Sequence, residues 1–472
     1  MIRSFLLAAA ASTLCFASPA QADDLTPEQA KAREIYAKVV SIRSARGQGK
    51  MHEMVDYLVD EFKAAGFTDD DIMVTDYDSE GEPTQGLMVW LRADEPVAKP
   101  LVLLAHMDVV DALAEDWVRD PFTLTEEEGY FFGRGTADNK YGVTNLTQTF
   151  LRLKEEGWVP SRDLVLAFSG DEETGMVTTI AQAAWVHENI QPAYVLNSDA
   201  GGLSLDENGV PVDFGVQGAE KTYVTFELTV TNPGGHSSRP RADNAIYELA
   251  AALKAVEDYK FKPNASNLTR SYLRQAGRKR LDSLGKAMRD FAEDPTNEEA
   301  IERLRREPST VGTIGTTCVA TMLRAGHAEN ALPQSATATV NCRVFPGEGV
   351  EATQAKLEEA IGNPDVKFEI IGDVTETPES GMREDVLAAV AKALEARGTP
   401  VDIVPYMSSG GTDGMHYRGH GYTTLAIGAG GSKPNDTFAH GLNERKPVEA
   451  FYAGLDHWMI ILKELAGPDA QD

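Results

Sequence analysis

Cysteine is scarce in this chain, with three among 472 residues. Cys15 lies in an apolar N-terminal run, which leaves Cys318 and Cys342 for the body of the protein. Two cysteines make a thiolate metal cluster an unattractive reading. In an oxidising compartment they pair if their strands are neighbours, and otherwise they are two buried thiols. Positive charge is also short: 44 Lys and Arg face 73 Asp and Glu, a formal net charge of -29. Nucleic acid and anionic membrane are therefore poor partners, since both are held by basic patches. Past the N-terminal run, no stretch approaches the ~20 apolar residues that span a bilayer, so no stable membrane insertion is expected. Gly-x-Ser-x-Gly is missing too, which removes the serine-hydrolase elbow.

What is present begins with a basic Arg3, the run FLLAAAASTLCFA and a small-residue Ala20-Gln21-Ala22. Residues 1–22 read as a secretory signal peptide, and the expected location is secreted or periplasmic. A chain of this length, 42% apolar, is expected to form two globular domains. Thr26-Pro27-Glu28 opens a first helix, and a second runs from about residue 50 to 65. Three apolar strands then end in polar chemistry. Leu101 to Val110 ends in His106 and Asp108, Leu164 to Phe168 in Asp171-Glu172-Glu173, and Tyr194 to Leu196 in Asn197-Ser198-Asp199. Strand, acidic end and helix in repetition imply α/β architecture with a largely parallel sheet, whose ligands gather at the carboxyl edge of the strands.

Each motif has a physical reading. His106 and Asp108 leave the same face of an extended chain, so the carboxylate can orient the imidazole while its other nitrogen binds a metal. Asp138, in Gly133-Arg134-Gly135-Thr136-Ala137-Asp138, precedes a helix and alone reads as its N-cap. That stretch matches neither the dinucleotide nor the Walker phosphate pattern. Consecutive acids at 171–173 repel one another without a cation. His416 and His420 have helical metal-pair spacing but no intervening Glu at the zincin position, and read as helix-surface residues.

From about residue 216 the pattern turns to half-buried alternation, and it returns to the first pattern near 377. Residues 216–375 are therefore an α+β unit inserted between 23–215 and 376–472. Within it, 261–308 is a charged stretch of exposed helices at the unit's edge.

His106-Met-Asp108, Gly-Arg-Gly-x-x-Asp138, Glu172-Glu173, Asp199, Gly-Gly-His236-Ser and His440, in this order, resemble the co-catalytic zinc peptidases. That family includes glutamate carboxypeptidase, aminoacylase, acetylornithine deacetylase, succinyl-diaminopimelate desuccinylase and carnosinase. The resemblance implies a parallel-sheet catalytic domain with a ferredoxin-like lid and dimerisation domain, and a homodimer formed through that lid. It implies two Zn2+ per subunit, replaceable by Co2+ or Mn2+. His106 and Asp199 would hold one ion, Glu173 and His440 the other, with Asp138 bridging and Asp108 orienting His106. It makes Glu172 the general base; from the residues alone, Glu172 and Glu173 are equal candidates. His236 would reach from the second subunit to the oxyanion, where the plain reading is a turn histidine. Asn330, Arg343, Gly411 and Thr412, with Gly410 and Lys221 beside them, match substrate-contacting positions. Arg343 equally suits a structural salt bridge.

The implied reaction is amide hydrolysis of small peptides or N-acyl amino acids by a metal-bridging hydroxide, of carboxypeptidase or aminoacylase type. Asp199 departs from this, since the aminopeptidase and dipeptidase relatives show Asp there. A dipeptidase or aminopeptidase is thus the alternative within the family, and a non-catalytic metal-stabilised binding protein the alternative outside it.

Overall fold

The computed structural model describes residues 25–436, 438–468, 470 and 472. The signal peptide expected at residues 1–22 lies outside them. Among the described residues no helix is long and apolar enough to cross a membrane.

The Leu101–His106 strand is buried at every position because it lies at the centre of a ten-stranded sheet with helices on both faces. Leu101, Leu103 and Ala105 belong to the main core with the Pro27–Ser41, Met51–Ala64, Lys140–Glu155 and Val448–Leu465 helices. Val102 and Leu104 turn to the other face, against Ala183, Val186 and Tyr417. This two-residue alternation, apolar on both sides, is why the strand reads as one unbroken apolar run.

The sheet is mixed, with its parallel strands at the centre. Leu164–Ser169, Leu101–His106, Tyr194–Asn197 and Thr424–Ala426 form a parallel centre. Antiparallel strands flank it: the Ile72–Ser79/Glu82–Leu91 hairpin on one side and Pro211–Glu220 with Gly202–Leu205 on the other. Hairpins need no crossover helix, so they add strands without disturbing the parallel ends where side chains gather.

The chain leaves this sheet at Glu220 and builds a four-stranded antiparallel one. Its strands Thr222–Thr231, Thr317–Ala325, Ser335–Val344 and Lys367–Ile371 run second, third, first, fourth across the sheet. The Ala245–Asp258 and Val350–Ile361 helices complete a βαββαβ order, and Val224, Phe226, Leu249, Val340 and Leu357 form its core. Cys318 and Cys342 stand directly opposite across two of these strands and form a disulfide.

The charged stretch after Phe261 differs from the exposed helices expected. Asn267–Arg278, Ser283–Glu293 and Glu298–Arg305 are amphipathic and close on their own core of Leu273, Met288, Phe291 and Leu304. Leu268 also packs with Met407, Ala219 and Phe345, so this subunit of structure touches both sheets. The strand that follows begins only at Thr317, because Pro308–Val311 and Gly312–Ile314 are short helical turns.

Candidate active site

The three parallel strands end side by side at His106, Ser169 and Asn197, and the chain beyond each end supplies acidic side chains. His106 Nε2 lies 2.9 Å from Asp138 Oδ1 and 3.5 Å from Asp199 Oδ1. His440 Nε2 lies 3.3 Å from Asp138 Oδ2 and 2.9 Å from Glu173 Oε1. The two oxygens of Asp138 thus face two different histidines. Donor atoms of His106, Asp138 and Glu173 all fall within 4.8 Å of one another, a spacing that suits a metal ion.

The electrostatics of this volume favour positive charge. Hydrogen bonds to the Asp138 and Glu173 carboxylates push His440 up to about 10. Burial opposes protonation of His106, but the Asp199 charge and bonds to Asp108, Asp138 and Asp199 hold it well above its ordinary value. Burial pushes Asp199 up to about 6 and raises Glu172 well above the usual carboxylate range. Imidazole and carboxylate donors around one cation-favouring volume are the ligand set of zinc and similar divalent ions.

Asp108 plays a wider part than orienting one imidazole. The nearest Asp108 atom to His106 Nδ1 is its backbone carbonyl, at 3.1 Å. Its carboxylate accepts the backbone N–H groups of Glu172 and Glu173 at 3.1 and 3.0 Å. The strand ends at His106 rather than continuing to Val110. Nor does Asp138 cap the next helix. Asn139 does so, accepting from Gly142 N at 3.0 Å, across an Asp138–Asn139 peptide that is cis. Asp138 is thereby left to face the histidines.

His236 and Asn330 come together at a separate short ladder, the exposed Gly235–His236 against Ala331–Leu332, with Ser237 N donating to Asn330 O. The His236 Nδ1 accepts from Ser238 N at 3.1 Å. Arg343 stands over the Tyr223 ring and donates to Ser409 O at 2.9 Å. Gly410 and Gly411 are exposed in the same loop. Thr412 is buried, and so is Lys221, whose amine donates to Gly315 O and Thr317 Oγ1 and is pushed down to about 7 by burial. His416 is buried rather than on a helix surface; its Nε2 meets Met176 Sδ at 3.3 Å.

Two supporting acids escaped sequence reading. The buried Glu444 carboxylate accepts the N–H groups of Gly135, Ala137 and Asp138 and pairs with Arg134 at 2.7 Å. Asp413 accepts from Ser169 Oγ at 2.6 Å and from Thr179 Oγ1. Both lie in motifs rich in Gly and polar residues, where nothing in the spacing separates a buried acid from a solvated one.

Comparison with known proteins decides the family. The profile of Peptidase family M20/M25/M40 matches residues 102–464. The chain belongs to this family. It is accordingly a hydrolase of the metallopeptidase kind, and the His/Asp/Glu group stands where a metal-dependent enzyme needs one. Curated relatives include a zebrafish (Danio rerio) N-fatty-acyl-amino acid synthase/hydrolase, PM20D1.1, 28% identical over 367 residues, covering 75% of this chain and 70% of the relative. A probable carboxypeptidase S-like 2 of Dictyostelium discoideum is 29% identical over 345 residues, covering 70% and 64%. Among solved structures, an M20 family metallo-carboxypeptidase from Sulfolobus solfataricus superposes with a TM-score of 0.69. It is 19% identical, with 92% of this chain and 98% of that one covered. The family fold is therefore shared well beyond the reach of sequence identity.

Proposed function

We propose that the protein is an exported dinuclear zinc hydrolase that cleaves the amide bond of N-acyl amino acids or small peptides, in the manner of a carboxypeptidase or aminoacylase. The observation that carries the reading is the placing of Asp138 between His106 and His440, with Asp199 on one side and Glu173 on the other. In this reading those five side chains hold two ions, which when bound polarise the amide carbonyl and lower the pKa of the attacking water.

The chain's own residues do the rest. Glu172 takes the proton of the attacking water and passes it to the leaving amine. Its backbone is fixed by Asp108, so the adjacent Glu172 and Glu173 side chains are free to take separate roles. His236 supplies a donor to the developing oxyanion, from a second copy of the chain. Arg343, steadied by Tyr223 and Ser409, offers its guanidinium to the substrate carboxylate. Relatives named for N-fatty-acyl amino acids and for carboxypeptidase activity support that substrate class.

Export is supported by the N-terminal run and by a disulfide that suits an oxidising compartment. A homodimer is supported by the Thr317–Ala325 edge strand, which exposes Val319, Met322 and Leu323. Elemental analysis, with amide hydrolysis assayed before and after chelation, tests the reading. About two zinc equivalents and activity restored by metal are expected, with N-acyl amino acids cleaved and C-terminally amidated analogues refused. Cleavage that instead requires a free amino end would favour a dipeptidase, to which Asp199 also points. Glu172→Ala should keep its metal while losing about 10²–10⁴-fold in kcat; retained turnover would remove Glu172 from the mechanism.

A further inference from the structure

Thr412 lies in the loop matched to substrate contact, yet its hydroxyl is fully occupied inside the protein. Its hydrogen goes to Glu220 Oε1, and its two lone pairs accept from Asn197 Nδ2 at 3.0 Å and Gly414 N at 3.2 Å. A hydroxyl has one donor and two acceptor sites, so none is left for a ligand. We propose that Thr412 is a positioning residue that holds Asp199 through Asn197 and ties it to the point where the chain leaves the large sheet. The inference rests on the reading of Asp199 as a metal ligand.

The direction of every bond in the relay is determined. Asp199 N can only donate, and it does so to Asn197 Oδ1 at 2.9 Å. That turns Asn197 Nδ2 toward Thr412, which must accept, and leaves the Thr412 hydrogen for a carboxylate. Glu220 is that carboxylate. It also accepts from Gln217 Nε2 at 3.0 Å and pairs with Arg418 at 2.9 Å, both members of the ion pair being 1% exposed. Arg418 in turn reaches Ser380 Oγ at 3.3 Å, and Ser380 N donates to Gly218 O at 2.8 Å.

Glu220 ends the last strand before the four-stranded sheet, and Ser380 lies on the chain's return from it. Both crossings between the sheets therefore meet at Arg418, whose ion pair with Glu220 leads on through the hydrogen bonds of Thr412 and Asn197 to Asp199. A buried network of this kind is costly to break at any member, because the partner left behind is unpaired. The four-stranded sheet carries Arg343, so the relay fixes the metal ligand relative to the group that would receive the substrate carboxylate.

Thr412→Val and Thr412→Ser, each alone and with Asn197→Ala, test the assignment on the metal-loaded protein. Chelator competition reads metal affinity, the visible spectrum of the Co2+-loaded protein reads ligand geometry, and kcat and KM are measured separately. Thr412→Val should lose about tenfold or more in metal affinity, as loss of an outer-shell partner does, with an altered cobalt spectrum, lower kcat and unchanged KM. Serine should restore the affinity, the spectrum and kcat. In the Asn197→Ala background Thr412→Val should add nothing further to the metal loss. Wild-type affinity and spectrum with a raised KM in Thr412→Val would make Thr412 a substrate contact and overturn the proposal, as would additive losses. If Thr412→Val does not fold, Asn197→Ala alone decides: normal metal affinity in that variant overturns the relay. Wild-type protein holding no metal would overturn the metal-centre reading and this inference together, whereas metal bound equally by all variants overturns this inference alone.

Discussion

Glu444 accepts the backbone N–H of Asp138 at 3.0 Å, through the same carboxylate oxygen that takes the Ala137 N–H at 2.7 Å. Its other oxygen takes Gly135 N–H and Arg134. One buried side chain, four residues after His440, thereby holds the loop that presents Asp138.

Glu444→Gln should therefore cost more than an exposed isosteric change. The glutamine NH2 must face either two backbone N–H groups or one N–H and a guanidinium, a donor-to-donor conflict in a buried site. We expect the variant to fold with unchanged far-ultraviolet circular dichroism but to bind metal about 10–100-fold more weakly in chelator competition. Unchanged metal affinity would show that the Asp138 loop holds itself.

Gly142→Ala should reverse the usual rule for a glycine inside a helix. Alanine there ordinarily stabilises by about 0.5–1 kcal/mol. A Cβ on Gly142 would lie 2.0 Å from Asn139 Oδ1 and 2.3 Å from Ser198 Oγ, displacing the cap beside Asp138 and the residue before Asp199. The expected result is a lower urea midpoint together with weaker metal binding; a more stable, active variant would refute it.

His457 should make the fold acid-sensitive. Burial, then the neighbouring Arg397 charge, push its imidazole down to about 3, against an ordinary value near 6.5. The native chain holds it neutral, while the unfolded chain takes up a proton below about 6.5. Its contribution to stability is complete above that pH and is lost progressively as pH falls toward 3, at no more than about 1.4 kcal/mol per pH unit. Urea unfolding of wild type and His457→Gln between pH 4.5 and 7.5 should give a shallower acid slope in the variant. Equal slopes would assign the acid sensitivity to other groups.

Replacing both Cys318 and Cys342 with serine should lower stability by about 3 kcal/mol, the loop-closure entropy of a cross-link 24 residues apart. The flanking strand pairs remain in register, so the four-stranded sheet should still form, and the midpoint of urea unfolding should fall as the unfolded chain loses its cross-link. An unchanged midpoint would mean that the strand pairing already constrains the unfolded chain.

By itself the sequence determined the apolar strands ending in His106, the Glu172–Glu173 pair and Asp199, and the helix start at Thr26. Each of these is local: an unbroken apolar run, a capping residue or a two-residue alternation depends on neighbours a few positions away. Five proposed ligands were legible because each lies in a recognisable motif. What only the tertiary structure decided involves partners far apart in the chain. Asp108 bonds to the backbone of residues 64 and 65 positions later, Glu444 to a loop more than 300 positions earlier, and Thr412 to Asn197 and Glu220 at once. The pairing of Cys318 with Cys342 and the mixed order of the sheet were likewise settled by which strands became neighbours. A buried polar side chain takes its role from whichever donor or acceptor the fold brings within about 3 Å, and that choice is made by packing rather than by spacing along the chain.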